Sequence, residues 1–231
     1  MTIDFSNYRT LDIERNLNIA RLCPLDIMVT GVTGAGKSTT LNAMFQRTVA
    51  KVGDGVDPET MKLCAYRLNN LFRIWDTPGL GDGIEQDKAH MRKLSWLLDK
   101  TYCLDNREYG FIDVAMVVIE GSNRDLGTTY HLLNDVIVPH IQNNRILVAI
   151  NQADVAMKGR HWNHDLRRPD GTLQAFLDEQ ANTVQARIKE ATGVSIHRPV
   201  CYSAEYGYGI REVFDFIVDN MPKARRPLKA A

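Results

Sequence analysis

Gly31-Val32-Thr33-Gly34-Ala35-Gly36-Lys37-Ser38 holds the residues of this chain whose types and spacing point most directly to chemistry. Its spacing is G-x-x-x-x-G-K-[ST], and each fixed position has a reason connected with phosphate. The glycines let the backbone turn tightly with its N–H groups inward, which makes a concave anion site. A helix opening at Lys37 adds the positive end of its dipole. The Lys37 ammonium reaches the β- and γ-phosphates, and the Ser38 hydroxyl is suited to ligate Mg²⁺. The expected phosphate contacts are Gly34, Ala35, Gly36, Lys37, Ser38 and Thr39.

A second group lies at Asp76-Thr77-Pro78-Gly79. Asp76 is suited to hold Mg²⁺, usually through a water. Gly79, with no Cβ to block approach, offers its backbone N–H to a γ-phosphate oxygen. Upstream, Thr60 ends a stretch rich in Gly, Asp and Pro and is expected to add a hydroxyl to the Mg²⁺ shell. That contact exists only with a triphosphate bound, so hydrolysis would release the segment. Lys37, Thr60 and Gly79 are therefore the expected catalytic groups, and Ser38, Thr60 and Asp76 the metal ligands.

The group that names the base is Asn151-Gln152-Ala153-Asp154. Guanine presents two donors on one edge, and the two oxygens of the Asp154 carboxylate can accept both. Adenine lacks that donor pair and would leave a buried carboxylate unpaired. Asn151 either ties this loop to the phosphate loop or contacts the base, and Gln152 covers the ring. Farther on, Ser203 and Ala204 follow the last strand, where the N–H of Ala204 is placed to donate to guanine O6.

These groups need strands that end where they begin, and the sequence supplies them. Leu25–Thr30, Leu71–Trp75, Asp113–Glu120, Ile146–Ile150 and Val200–Tyr202 are apolar runs of strand length. They alternate with helical patterns over Lys37–Gln46, Thr128–His140, Leu173–Ala191 (with Gly193 as its cap) and the run from Ile210 to Met221. Met61–Leu68 and Leu71–Trp75 flank Asn69-Asn70, which predicts a hairpin. The expected fold is α/β: a three-layer P-loop NTPase whose mostly parallel sheet has about six strands, one of them antiparallel, with helices on both faces. The open carboxyl ends of such strands are where ligands sit. Residues 1–24 form an amphipathic lead-in, with a helix over Leu11–Leu22. Residues 25–222 form a single domain with an exposed polar insertion at 155–171, and 223–231 form a basic, frayed tail.

Composition sets bounds on this picture. The 231 residues carry 28 Lys plus Arg against 28 Asp plus Glu, so no global field draws nucleic acid or an anionic membrane. No run approaches the ~18 apolar residues of a membrane span, and the N-terminus lacks a secretion signal. Cys23, Cys64, Cys103 and Cys201 are far apart and read as small core residues in a reducing cytoplasm.

In this order and at these strand ends, the motifs resemble the translation-factor-related GTPases, and within them the Era-like, septin and dynamin-neighbouring branches. The resemblance covers Leu25 to Met221. It implies GTP and GDP as ligands, Mg²⁺ as cofactor, and switch regions at Val52–Thr60 and Leu80–Asp87. Two positions depart from the pattern. Gln152 stands where the family carries Lys, which implies weaker affinity with specificity kept through Asp154. Gly34 stands where several relatives carry a potassium-binding Asn. Apart from these two, Leu80 stands where Ras-like enzymes place a water-orienting Gln, and Leu cannot hydrogen-bond water. The resemblance therefore implies slow hydrolysis that relies on other groups or on a homodimer across the nucleotide face.

Arg124 is a candidate arginine finger, against the plainer reading of a surface residue held by Asp125. His161 and His164 lack zinc spacing and further ligands. Trp162 among Arg160, Arg167 and Arg168 reads either as a patch for an unidentified protein partner or as a ring tucked against its own domain. The favoured function is a GTP-hydrolysing switch. A GTP-binding assembly protein with negligible catalysis is the alternative, and an ATPase or P-loop kinase comes third.

Overall fold

The computed structural model describes residues 4–22, 24–46, 64–81, 83–122 and 126–229. Its centre is a six-stranded sheet in the order β10-β7-β6-β1-β3-β2. These strands are β1 (Leu25–Gly31), β2 (Cys64–Arg67), β3 (Phe72–Asp76), β6 (Val114–Glu120), β7 (Ile146–Asn151) and β10 (Val200–Cys201). The expected α/β architecture is present. Every pairing is parallel except that of β2 with β3, so the antiparallel strand lies at one edge. The turn between β2 and β3 is built on Asn69, whose Oδ1 accepts from the N–H groups of Leu71 and Phe72 at 2.8 and 3.0 Å. Asn supplies a side-chain acceptor that mimics a turn carbonyl.

The central strands are buried on both faces, and their side chains alternate between two cores. Ile27, Val29, Val114, Met116, Val118, Leu147 and Ala149 join one, with α1 (Thr10–Ala20), α2 (Lys37–Phe45) and α7 (Ile210–Asp219). Met28, Ala115, Val117, Ile119, Ile146, Val148 and Ile150 join the other. That face carries α3 (Ile84–Asp99), α4 (Gly127–His131), α5 (Val138–His140) and α6 (Gly171–Thr192). Between α4 and α5 a π-helical turn spans Leu132–Ile137, so the pattern read as one helix is wound wider in its middle. Leu132, Leu133, Val136 and Ile137 nevertheless all stay buried. Gly193 closes α6 at φ 72°, as expected of a helix-ending glycine. Among the described residues no helix is long and apolar enough to cross a membrane.

Three expectations are corrected. The tail is not frayed over residues 223–229: Arg226 is 2% exposed, and its guanidinium donates to the carbonyls of Leu98 and His140, both at 2.6 Å. Pro227 also bridges to Tyr109 on an unforeseen hairpin, β4 (Thr101–Leu104) and β5 (Arg107–Gly110). The insertion is partly folded inward, forming a two-residue hairpin of β8 (Trp162–Asn163) with β9 (Arg168–Pro169), and Trp162 is buried while its arginines stay exposed. Cys103 is exposed rather than core, because the hairpin turns it outward, and Cys201 is half-buried. Cys23 and the Cys64 side chain lie outside the described residues.

Candidate functional site

The carboxyl ends of β1, β3, β7 and β10 lead directly into the four predicted groups that are described, on one edge of the sheet. At the end of β1, Gly31–Gly36 wraps around the Lys37 side chain, whose Nζ donates to the carbonyls of Val32 and Gly31 at 2.9 and 3.2 Å. Gly36 has φ 82°, and a Cβ built there would fall 2.2 Å from Asn151 Nδ2, so both backbone shape and space demand glycine. Ser38 and Thr39 sit half-buried in the first turn of α2.

Asp76 ends β3, half-buried. Burial pushes its carboxyl above the ordinary range, opposed by the Lys37 ammonium and the Thr77 N–H. Its neighbours in the chain are fastened to the phosphate loop. The Leu80 N–H donates to Gly31 at 3.3 Å, and the Thr33 N–H donates to Leu80 at 2.7 Å. Gly79 is pressed so close that a Cβ built on it would lie 2.5 Å from Thr33 Oγ1 and 2.8 Å from Lys37 Nζ. A Ser38 hydroxyl and an Asp76 carboxylate are hard oxygen donors of the kind Mg²⁺ prefers, so the residues fit that ion. The segment read as a switch at Leu80–Asp87 is helical from Ile84 onward, and Asp87 accepts the Gly81 N–H at 2.8 Å. Thr60 with Val52–Thr60, Asp82, and Arg124 with Asp125 lie outside the described residues.

Asn151 ends β7. Of the two roles open to it, the structure gives the tie: its Nδ2 donates to the Ala35 carbonyl at 2.9 Å, and its Oδ1 accepts the Ala204 N–H at 3.0 Å. The Ala204 N–H, read from the sequence as a donor to guanine O6, thus donates here to the Asn151 amide oxygen. Gln152, at φ 64°, donates from Nε2 to the Gly34 carbonyl at 2.8 Å, supporting the phosphate loop without a charge. Asp154 Oδ1 is buried and has no hydrogen-bond partner in the structure. An acceptor left so costs about 1–3 kcal/mol unless a ligand meets it. Ser203 is buried, and its hydroxyl accepts the Tyr206 N–H at 3.3 Å.

Trp162 packs on Tyr206 and Tyr208, with ring centroids 5.3 and 5.6 Å apart, so the insertion after Asp154 grips the loop after Ser203. Of the two readings of Trp162, the tucked ring is the observed one. His161 pairs with Asp170 and His164 with the Tyr206 hydroxyl, at 2.8 and 3.2 Å. One residue of the site escaped the sequence altogether: His90 of α3 approaches the Gly79 carbonyl at 2.5 Å. A lone histidine in a helical run whose acceptor is a backbone carbonyl leaves no trace in spacing.

The chain matches a family model described as 50S ribosome-binding GTPase over residues 26–158. It is similar to the T-cell-specific guanine nucleotide triphosphate-binding protein 2 of Mus musculus, 43% identical over 77 residues that make up 30% of this chain and 18% of that protein. It thus spans less than a fifth of this relative's length. Among solved structures it resembles Toc33 of Arabidopsis thaliana with Mg²⁺ and GMPPNP, at 14% identity and a TM-score of 0.62 with all of both chains covered. Aquifex aeolicus Era bound to GDP and AlF4⁻ shares the fold at 16% identity and a TM-score of 0.56, with 90% of this chain and 60% of that chain covered.

Proposed function

This chain belongs to the 50S ribosome-binding GTPase family, and from that membership we propose that it is a slow, Mg²⁺-dependent GTPase of the TrmE-Era-EngA group, acting as a nucleotide-dependent switch. Lys37 and the N–H groups of Gly34 to Thr39 take the phosphates, and the Gly79 N–H takes a terminal oxygen. Ser38, Thr60 and Asp76 hold Mg²⁺, which when bound neutralises charge on the β- and γ-phosphate oxygens. Asp154 reads guanine, with Ser203 and Ala204 holding the far side of the base loop. Free thiols at Cys103 and Cys201 fit a cytoplasmic setting.

The observation that carries this reading is the buried, unpartnered Oδ1 of Asp154, on a loop bonded to the phosphate loop through Asn151 and Gln152. Guanine offers the donors this oxygen lacks, whereas adenine does not. Competition of labelled GTP by unlabelled GTP, ATP and XTP tests it. GTP is expected to compete at least about a hundredfold better than ATP, and equal competition by the three would end the assignment.

The fully buried Leu80 favours a second reading for the catalytic step. A side chain that cannot orient water, held away from solvent, suits a protein that uses bound GTP to assemble with a second copy or another protein and scarcely hydrolyses it. Single-turnover hydrolysis at several protein concentrations separates the two. The switch reading expects ~10⁻⁴–10⁻³ s⁻¹ from the monomer. The assembly reading expects no turnover but a nucleotide-dependent change in mass.

A further inference from the structure

His90 has no part in the roles above, yet it is 2% exposed and its Nδ1 lies 2.5 Å from the carbonyl oxygen of Gly79. A carbonyl only accepts, so Nδ1 carries a proton and donates it. The same short segment is bonded on its other side to the phosphate loop, through Leu80 to Gly31 and Thr33 to Leu80. Asp87, one helical turn before His90, accepts the Gly81 N–H. Residues 79–81 are thus strung between two supports, the phosphate loop and α3.

Gly79 is where such a span is weakest. Without a Cβ it has the widest choice of backbone angles of any residue, and its N–H can swing away from a ligand at little cost. Two restraints remove that freedom: Thr33 against its Cα side, and His90 on its carbonyl. We propose that His90 is a positioning residue for the terminal phosphate: by holding the Gly79 carbonyl, it keeps the Gly79 backbone closed on the phosphate loop, in the arrangement that receives a triphosphate. The proposal rests on the nucleotide reading above and adds the residue that makes the site favour triphosphate over diphosphate. By linkage, its contribution appears only as a difference between the two nucleotides.

Full-length wild type, His90→Ala, His90→Asn and His90→Gln are titrated with fluorescent GDP and GTPγS in Mg²⁺, with thermal melts alongside. Asn places an amide N–H where His carries Nδ1, whereas Gln places it near Nε2. His90→Ala and His90→Gln are expected to lose about tenfold in the ratio of GTPγS to GDP affinity, the share of one buried hydrogen bond, and His90→Asn to recover most of it. A ratio unchanged in His90→Ala, or equal recovery by Asn and Gln, would overturn the role. If His90→Ala melts below the assay temperature, the Asn and Gln pair, which fill the space, decides alone. A wild type that binds neither nucleotide would bring down the nucleotide reading and this role together, an outcome distinct from a wild type that binds both with variants that do not discriminate.

Discussion

Asn151 Nδ2 donates to the carbonyl of Ala35 at 2.9 Å, joining the end of β7 to the middle of the phosphate loop across 116 positions of sequence. Both residues are buried, and the opposite face of the same amide takes the Ala204 N–H. One side chain therefore ties together the phosphate loop, the loop that begins at Asn151 and the loop that follows Ser203. On the nucleotide reading, the donor pattern that a base offers to Asp154 is then what can be varied and measured.

Asp154→Asn is expected to invert that pattern. The amide keeps one acceptor and gains a donor, which suits a base with a carbonyl where guanine has its amine. GTP affinity should fall by at least about a hundredfold, while xanthosine triphosphate gains. Parallel losses for both nucleotides in the competition assay would mean that this carboxylate does not read the base.

Trp162 gives a different kind of prediction, since its ring packs on two tyrosines of the loop that follows Ser203. Its indole Nε1 is buried without a partner, so Trp162→Phe gives up no hydrogen bond and should change stability by less than about 1.5 kcal/mol. Trp162→Ala opens a cavity and should cost about 3 kcal/mol. It should also weaken GTP and GDP by the same factor, because the base is common to both. A Trp162→Ala effect on GTP alone would contradict the packing.

The legible parts of the site were those in which chemistry restricts residue type at fixed spacing. The phosphate loop, Asp76–Gly79 and Asn151–Asp154 each need particular side chains after an apolar run, and the sheet follows from those runs. What could not be read depends on backbone carbonyls or distant rings. His90 meets the carbonyl of Gly79, and Arg226 meets those of Leu98 and His140, acceptors that every residue has. Trp162 among arginines left a partner patch and a tucked ring both open, because the rings it packs on, Tyr206 and Tyr208, come after the whole of α6. The β4–β5 hairpin is mostly exposed, so no alternation marked it.

Arg226 closes the end of the sheet opposite the predicted site, and its loss should be felt as stability alone. Burial and the nearby Arg145 bring its guanidinium down to about 10, still charged at neutral pH. Arg226→Ala leaves two carbonyls without their charged donor and should cost about 3 kcal/mol in urea denaturation. GTP affinity should stay unchanged. Gly110→Ala is an independent check, since a Cβ built there would lie 2.0 Å from the Arg226 guanidinium carbon. A Gly110→Ala protein as stable as wild type would show that Arg226 is not seated there.

Asp113 predicts how stability follows pH. It is 2% exposed, its Oδ2 accepts the Asp26 N–H at 3.0 Å, and its Oδ1 has no partner. Burial, with the Asp26 charge adding to it, pushes its carboxyl up to about 7, against the pull of Arg145 and Arg226. A carboxyl with a raised folded pKa binds its proton more tightly in the native state than in the unfolded chain. Below its ordinary value of 3.8 both states are protonated, and Asp113 imposes no penalty. As pH climbs from there to about 7 the unfolded chain ionises first, so the native state loses stability, reaching a plateau of about 4 kcal/mol above that range. Asp113→Asn keeps the oxygen that accepts from Asp26 and cannot ionise, so it should lack this slope. The stability difference between variant and wild type, measured by denaturation from pH 4.5 to 8.5, should therefore widen as pH rises and level off near neutrality. Curves that stay parallel across the range would mean that Asp113 is not held neutral in the folded protein.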